Sequence, residues 1–406
     1  MLAIKPGSGL LLLLSLGINQ VQASEWYVEP SANVRTEFDD NIRLLPNNTA
    51  DAYGFIAGLT ANSGIRSEVY NVGIKTGVDV YEYWGQSNLD RQNFNFGLNS
   101  EYLWTEKHRL GLEIDYVRDT SLTSELLTTG NLGNQVGRQS LTVAPNWTYA
   151  LSAAQSLKAG YSHQDVSYDK NSTNYLSSYL IDSVDLTYSH QWNPAWQYFA
   201  TLGAYRYDLV DAPTTIDNFS ANVGADYLYS ETLSFNFMLG ARETESQFGN
   251  AITPEQQALY NFLNIPSATK SSSLGSLFSV GMKKQFEVAN LNLSYARNTS
   301  PTGGGVVLET DSFNGNYEHK LTEQLRAQLR TEISLNSSTS SATSTYNRDY
   351  YGVEPKLIWN FNRQADVVLG YRYRTQNYTA TNVSASGNTF YLYVNYAWDK
   401  ILGNPF

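Results

Sequence analysis

The sequence predicts an all-β fold: a transmembrane antiparallel up-and-down β-barrel of about 18 strands. Two patterns in the 406 residues carry this prediction. Long stretches alternate apolar with polar residues, and the connections between them are short and long in turn. Alternation gives each strand one apolar and one polar face. Short turns at one end and long loops at the other are typical of outer-membrane barrels.

The composition argues against several classes of protein. The chain is 13% aromatic and 16% charged, has a net charge of -11 and contains no Cys. An average soluble domain is about 25% charged, and no stretch reaches the roughly 18 consecutive apolar residues of a spanning helix. These values disfavour a helical membrane protein, a disulfide-stapled secreted module and a basic nucleic-acid-binding protein. We therefore expect no nucleic acid partner.

Residues 1–23 have the pattern of a secretory signal peptide. Lys5 supplies the positive start, the stretch from Leu10 to Leu16 is a short apolar core, and Val21-Gln22-Ala23 is a small-residue cleavage site. A buried N-terminal helix is the alternative, but the core is short and no cationic segment follows it. We expect residues 24–406 to form a single barrel domain with no plug before it.

Eighteen alternating stretches are predicted as strands. Strands of soluble proteins usually have about five or six residues, and most of these stretches are longer. A tilted strand that crosses a bilayer needs about 9–11 residues, which these stretches provide. Sixteen strands would remain if the fourteenth and sixteenth stretches were misread, and a soluble propeller or solenoid would need a repeat period that is missing. The stretches lie near 26–38, 51–62, 68–82, 91–103, 108–118, 138–149, 155–167, 177–190, 196–207, 217–229, 232–246, 272–285, 288–298, 306–319, 323–336, 346–360, 365–377 and 388–400.

The connections between these stretches alternate in length. Short ones follow even-numbered strands and are expected on the periplasmic side, whereas long ones follow odd-numbered strands and are expected outside the cell. The clearest short turns are 105–107, 152–154, 193–195, 230–231 and 362–364. The clearest long loops are 41–50, 120–137, 247–271, 299–305 and 378–387.

Aromatic residues crowd near the strand ends, where girdles at the two membrane interfaces are expected. Prolines at positions 30, 145 and 355 fall inside predicted strands and lack the amide hydrogen of a ladder, so we expect bulges or local breaks there. The aromatic candidates are Tyr83, Trp84, Trp104, Trp147, Tyr149, Trp192, Trp196, Tyr227, Tyr229, Trp359 and Trp398.

The polar strand faces are predicted to line a lumen. Acidic and basic residues are nearly balanced on these faces, so no ring of one sign, which strong ion selectivity needs, is evident. Five bases, Arg326, Arg330, Lys356, Arg372 and Arg374, form either a basic wall for an anionic solute or a neutral network with Glu332 and Glu354. The network is the preferred interpretation. Tyr205, Tyr207, Tyr391 and Tyr393 are candidates for stacking on sugar rings or for packing in the lumen.

The predicted loop over 250–271 carries a helix-start signature. Thr253 occupies the cap position, Pro254 the first helical position, and Gln256 completes the capping-box spacing. This segment is a candidate constriction of the barrel mouth, and the loop over 120–137 is its rival. The apolar side of the segment would be Leu259, Tyr260 and Phe262, followed by Leu263.

The sequence predicts no catalytic constellation. A barrel hydrolase would need a positioned Ser–His or Asp–His set at a strand end. His163 near Ser162 and Asp165 is the only candidate, and neighbouring residues on a strand point to opposite faces. We therefore expect no enzymatic activity, no cofactor and no metal ligands.

The first predicted strand of the mature chain ends in Phe38-Asp39-Asp40-Asn41-Ile42-Arg43-Leu44. This stretch resembles the aromatic-Asp-Asn-Ile-x-Leu element that ends the first strand in a family of outer-membrane β-barrel porins associated with exopolysaccharide and capsule biosynthesis gene clusters. One additional Asp is present here. The resemblance implies a passive channel in the outer membrane of a Gram-negative bacterium, for export or assembly of exopolysaccharide or for hydrophilic solutes. The alternative is a structural or surface-interaction barrel with a closed lumen, whose loops bind polysaccharide or a partner.

Several partners are expected for such a barrel. Its surface would contact outer-membrane lipid and lipopolysaccharide, and the C-terminal strand with Phe406 would be read by the barrel insertion machinery. Gly403-Asn404-Pro405 interrupts that strand, so the stretch from Tyr391 to Trp398 is an alternative signal. Polysaccharide and export-machinery proteins complete the expected partners.

Overall fold

The structure is a computed structural model that describes residues 24–47, 51–125, 135–170, 176–249, 268–339, 347–379 and 381–403. The predicted signal peptide at 1–23 and Phe406 lie outside the described residues. Eighteen long strands and one short terminal strand form a single antiparallel sheet. The strands are β1 (Glu25–Asp39), β2 (Ala52–Arg66), β3 (Tyr70–Trp84), β4 (Arg91–Thr105), β5 (His108–Thr120), β6 (Gly137–Ser152), β7 (Gln155–Tyr168), β8 (Tyr179–Asn193), β9 (Trp196–Leu209), β10 (Thr214–Ser230), β11 (Leu233–Gly249), β12 (Ala268–Gln285), β13 (Ala289–Pro301), β14 (Val307–Lys320), β15 (Leu325–Ser338), β16 (Arg348–Asn360), β17 (Ala365–Tyr378), β18 (Val383–Ala397) and β19 (Ile401–Gly403).

The sheet closes into a barrel where the first and last long strands meet. In β1, Ser31–Asp39 pair with Thr389–Ala397 of β18, and the opposite edge of β1 pairs along its whole length with β2. The short strand β19 extends this seam by pairing with Trp26–Val28. The eighteen-strand prediction is thus confirmed, including β14 and β16, which the sixteen-strand alternative would have lost.

The alternation of short and long connections is confirmed. Residues 106–107, 153–154, 194–195 and 231–232 are tight turns after even-numbered strands. The predicted extent of the loop over 378–387 is wrong, because β18 begins at Val383 and pairs there with Tyr378. This stretch alternates small and polar residues, which are common in loops, so its period of two was missed. A 3-10 turn at Ser87–Leu89 and a helical turn, α1 (Ser121–Ser124), lie in outer connections.

The outer surface of the barrel is apolar. Leu274 is 81% exposed, Leu59 and Leu239 are each 64% exposed, and Trp84 is 67% exposed. An apolar surface of this extent is stable in contact with an apolar medium, which a lipid bilayer supplies. The protein is therefore an outer-membrane barrel, with its tight turns on the periplasmic side.

Aromatic rings form a girdle beside the tight turns. Trp196 stacks on Tyr227 with ring centroids 4.1 Å apart, and Trp147 stacks on His108 at 5.7 Å. Such amphipathic rings are typical of membrane interfaces. Tyr83 is the exception among the predicted girdle residues: it is buried inside the barrel, while its neighbour Trp84 faces outward.

Prolines interrupt the ladder without bulges in two strands. Beside Pro145, pairing between β6 and β7 stops at Val143 and resumes at Asn146 in the same register. Beside Pro355, pairing between β16 and β17 stops at Val353 and resumes at Lys356, again in register. These are the local breaks expected where an amide donor is missing.

One strand pair is separated over its outer half. β12 and β13 pair only between Phe278–Gln285 and Asn290–Arg297. Toward the outer end of the barrel, and among the described residues, β12 pairs only with β11, and β13 pairs only with β14. The β13–β14 hairpin therefore leaves the wall at its outer end and is free to bend into the lumen.

Among the described residues, no helix combines the length and the apolar character needed to cross a membrane.

Candidate functional site: the lumen and its mouth

One side of the lumen carries a network of charged and phenolic side chains on β1, β3, β16 and β18. Arg35 contacts Glu37 at 2.5 Å, and its guanidinium lies 4.1 Å from the ring centre of Tyr391. The Tyr391 hydroxyl donates to Glu354 over 2.7 Å, and Lys356 contacts the same carboxylate at 3.1 Å. We call this set the ionic wall. Its charges largely neutralise one another.

The five bases selected from the sequence lie in different environments. Arg326 contacts Glu318 at 3.2 Å, and Arg374 contacts Asp39 at 2.7 Å with Arg372 at 4.0 Å from the same carboxylate. Among the described residues, Lys356 is the one of the five that contacts a predicted acid, Glu354. Arg326, Arg372 and Arg374 reach other carboxylates instead. Glu332 forms no ion pair within 4.0 Å among the described residues, and Arg330 lines a lumen cavity.

The four tyrosines selected for sugar stacking are partly engaged by the protein itself. The buried Tyr207 hydroxyl donates to the Thr302 carbonyl over 2.8 Å, and Tyr391 donates to Glu354. Tyr205 packs beside the apolar cluster around Tyr207. Tyr393 lies on β18 two residues beyond Tyr391, on the same face of the strand. The hydroxyl groups of Tyr207 and Tyr391 are thus held by hydrogen bonds within the protein.

The first outer connection folds into the barrel mouth. Leu44 is fully buried against Tyr350 and Ala385, with a left-handed φ of 49°. Its carbonyl accepts a hydrogen bond from Gln376 Nε2 over 2.6 Å. Asn41 Nδ2 donates to the Ser386 carbonyl over 3.0 Å. Residues 40–47 are therefore fixed against β16, β17 and β18.

The motif at the end of β1 accounts for this anchoring. Asp39 is fully buried and accepts hydrogen bonds from Arg374 and Thr389 at 2.7 and 2.6 Å. Asp40, the additional acid, accepts from the backbone and side-chain nitrogens of Asn388, both over 2.7 Å. Asp39 thus ties the end of β1 to β17 and β18, and Asp40 ties the start of the segment to β18.

Two further segments occupy the mouth. Leu122 of α1 packs with Ile42 and Tyr83, and the Tyr168 hydroxyl donates to Glu125 just beyond α1. In the β13–β14 hairpin, Thr302 accepts from Tyr207, and the Gly303 carbonyl accepts from the Ser177 backbone nitrogen over 2.7 Å. We call residues 40–47, 121–125 and 302–306 the mouth segments.

The mouth segments differ from the predicted constriction. Thr253, Leu259, Tyr260 and Phe262 lie outside the described residues, so that candidate remains a prediction. The described part of the rival loop over 120–137 does turn inward. Sequence reasoning missed 40–47 and 302–306, although the buried-type residues Ile42 and Leu44 inside a polar loop were a usable signal.

Below the mouth, a cavity of about 780 Å³ lies on the periplasmic side of the lumen. Its charged lining residues are Asp226, Lys283 and Arg330, and its other polar residues are mainly amides and hydroxyls. The uncharged polar lining comprises Gln191, Gln197, Ser234, Asn236, Asn292, Ser294, Asn314, Asn316 and Thr331.

The one catalytic candidate from the sequence does not assemble. His163 Nδ1 lies 2.8 Å from Asp182 on the neighbouring strand, and Tyr161 donates to the same carboxylate over 2.6 Å. Ser162 lies on the opposite face of β7. Among the described residues, no group of three or more His, Asp or Glu side chains is placed to hold a metal ion.

Comparisons with known proteins give similarity in solved structures only. No family model and no curated protein matches the chain. The outer membrane protein OpdK of Pseudomonas aeruginosa aligns with a TM-score of 0.47 and 10% identity over 92% of this chain and 99% of that chain. OccAB4 of Acinetobacter baumannii aligns with a TM-score of 0.48 and 12% identity over 95% and 100% of the two chains. The architecture described above rests on the strand pairing of this chain itself.

Proposed function

We propose that the protein is a passive outer-membrane channel for hydrophilic solutes. The observation that carries this proposal is the contrast between an apolar outer surface and a lumen lined by amides, hydroxyls and paired charges around a cavity of about 780 Å³. A barrel that served only as a membrane anchor would not require a polar interior. The mouth segments narrow the outer end and would set the size of the solute.

The charge distribution supports weak ion selectivity. Selectivity for one sign needs a ring of like charges at the constriction. At the mouth, acid and base meet where Asp39 contacts Arg372 and Arg374, and in the ionic wall Glu37 and Glu354 are balanced by Arg35 and Lys356. Uncharged solutes would meet no electrostatic barrier on this path.

Solute entry into liposomes tests this function. Proteoliposomes that contain the refolded barrel are expected to swell in isotonic monosaccharide solutions, more slowly in disaccharides, and slowest in longer oligosaccharides. The size dependence follows from the mouth segments. Swelling no faster than that of protein-free liposomes, for every sugar, would contradict the channel.

We propose exopolysaccharide as the solute class, for export or assembly. This finer assignment is supported by the porin-like motif at Phe38–Leu44, whose acids build the mouth, and by the amide-rich cavity beneath it. Deleting the gene in the native host is expected to reduce secreted polymer and to leave outer-membrane integrity intact. Normal amounts of secreted polymer in the deletion strain would remove this assignment.

A second function is favoured by the packing of the mouth. Leu44, Tyr207 and Arg348 are fully buried, so the outer end of the lumen is densely filled on two sides. A structural barrel with a closed lumen, whose outer loops bind polysaccharide or a partner, fits that packing. The two functions differ in one observable, which is the passage of ions and sugars through the folded barrel.

The proposed partners follow from the outer surface. Arg206, whose side chain is 59% exposed, pairs with Asp217 at 2.7 Å on the outer half of the barrel. An exposed guanidinium at this level suits the phosphate groups of lipopolysaccharide. The insertion machinery would read the C-terminal strand, of which Tyr391 to Ala397 are paired in β18.

A further inference from the structure

Two rows of polar side chains cross the cavity wall on β11 to β14. In one row, Asn236 pairs with Gly281, Gly281 with Ser294, and Ser294 with Asn314. In the row below, Ser234 pairs with Lys283, Lys283 with Asn292, and Asn292 with Asn316. We call Ser234, Asn236, Asn292, Ser294, Asn314 and Asn316 the amide wall. All six line the same cavity.

The spacing of these rows is fixed by the sheet. Neighbouring strands lie about 4.7–4.9 Å apart, so hydrogen-bonding side chains follow one another across the wall at that interval, except at Gly281, where β12 contributes no side chain to the first row. Barrel strands are tilted by about 35–45° to the barrel axis, so a row that runs across them climbs the wall obliquely. An extended chain lying on the wall would meet a regular ladder of polar groups.

Glycine keeps this ladder flat. A side chain at Gly281 would collide with the Asn236 amide, which lies directly over it. The same relation holds for Asn222 over Gly240 and Asn95 over Gly77 elsewhere in the barrel. Because the exposed Asn236 amide lies along the wall over Gly281 instead of projecting from it, it takes little of the lumen width and stays open to the lumen contents.

The charges at the edges of the amide wall cancel. Asp226 pairs in register with Asn236, and Lys283 lies in the lower row, so one end carries both signs. At the other end, Asn314 pairs with Glu332 and Asn316 with Arg330. A polyanion lying on the wall would face both acids as well as both bases, so the arrangement gives it no net attraction.

We propose that the amide wall binds uncharged oligosaccharide or polysaccharide segments by their hydroxyl groups. An Asn side chain both donates and accepts hydrogen bonds, and a Ser hydroxyl does the same. Sugar hydroxyls have the same dual character. The ladder therefore matches a neutral glycan chain along its length without selecting one hydroxyl, which allows the chain to slide. This inference rests on the proposed channel and names the solute chemistry of its cavity.

Sugar block of single channels tests the proposal, with maltohexaose and cellohexaose as neutral probes and hexagalacturonate as the anionic probe. Both neutral hexasaccharides are expected to reduce the ion current reversibly, at lower concentration than hexagalacturonate. In an Asn292→Leu/Asn316→Leu variant the half-blocking concentration is expected to rise about thirtyfold, since the variant removes two hydrogen-bonding side chains that contribute roughly 1 kcal/mol each. Asn95→Leu is the matched control: it also faces the lumen, outside this cavity, and its block should be unchanged.

Several results would overturn the proposal while leaving the channel intact. Conductance without block by either neutral hexasaccharide is one of them. Block by hexagalacturonate alone, lost in Lys283→Gln/Arg330→Gln, would assign the cavity to acidic chains instead. Equal loss of block in Asn95→Leu would show that the amides act on lumen width only. If the leucine variant fails to refold, Asn292→Ala/Asn316→Ala serves in its place, with unchanged block counting against the proposal. Absence of any conductance would instead refute the channel.

Discussion

Replacing Asp39 by alanine is expected to loosen the mouth and to raise single-channel conductance several-fold. Asp39 has no exposed side-chain surface, and its partner Arg374 is only 4% exposed at the side chain. Removing one member of a buried pair costs about 3–5 kcal/mol, because the other charge is left without compensation. Here Arg372 and Arg374 would also face each other without an acid between them. The segment 40–47 would lose one of its anchors to β17 and β18.

This prediction is measured in two ways on refolded protein. The first measurement is the temperature at which heated samples lose the gel mobility of the folded barrel in electrophoresis, and this temperature should fall. The second is the current through the open channel in planar bilayers, which should rise. Asp39→Asn keeps the hydrogen bond from Thr389 and should give an intermediate effect. Asp211→Ala, which breaks the exposed pair with Lys170, is the control and should cost less than about 1 kcal/mol. Wild-type current and stability in Asp39→Ala would show that Asp39 does not hold the mouth.

Glu309→Ala is expected to destabilise the β13–β14 hairpin far more than Arg242→Met. Arg242 Nη2 donates to Glu309 over 2.6 Å, and the two side chains are 3% and 21% exposed. Without Glu309, the buried guanidinium of Arg242 keeps only the hydroxyls of Thr244 and Ser273 as acceptors. The expected cost is about 3–5 kcal/mol.

The reverse substitution removes the buried charge itself. Methionine fills much of the space of Arg242, and Glu309 retains Arg297 at 3.7 Å and part of its hydration. Replacing a buried ionic group by an apolar one of similar volume is often nearly neutral, so we expect a loss below about 1.5 kcal/mol. The double variant should recover most of the stability that Glu309→Ala loses. Equal losses in the two single variants would show that burial of Arg242 is not the deciding factor.

This pair also explains the separation of β12 from β13. Arg242 of β11 pairs with Gly275 of β12, and a side chain at position 275 would collide with the Arg242 guanidinium. Glu309 lies on β14, across the separated strands. The ion pair therefore ties the inward-bent hairpin to the wall that it has left. Conductance of Glu309→Ala should fluctuate more than that of wild type as the hairpin detaches and returns.

The strands were predictable because a period of two is a local property of the sequence. Alternation along a strand also places the neighbours Tyr83 and Trp84 on opposite faces. Strict use of this alternation would have placed Tyr83 inside the barrel. The mouth was not predictable in the same way. The contact between Asp39 and Arg374 joins residues 335 positions apart, and no local pattern states which outer connections turn inward.

Alternation predicts which strand faces line the lumen, but it does not predict which side chains contact one another there. Alternation assigned Arg326, Lys356 and Arg374 to the inside, yet their partners depend on register between strands. Arg326 reaches Glu318 across the β14–β15 pair, where Lys320 stands opposite Arg326. The regular spacing of the amide wall likewise emerges only when four strands are aligned, because its residues are scattered between positions 234 and 316.

Single-channel recording in planar bilayers distinguishes an open channel from a closed barrel. Wild-type protein is expected to give small stepwise currents with weak selectivity between cations and anions, and Asp39→Ala is expected to give larger steps at the same protein concentration. The full-length refolded barrel is used, and its folded mobility is verified by electrophoresis beforehand. The absence of steps from both proteins would contradict the channel and leave the closed, structural barrel as the function of this fold.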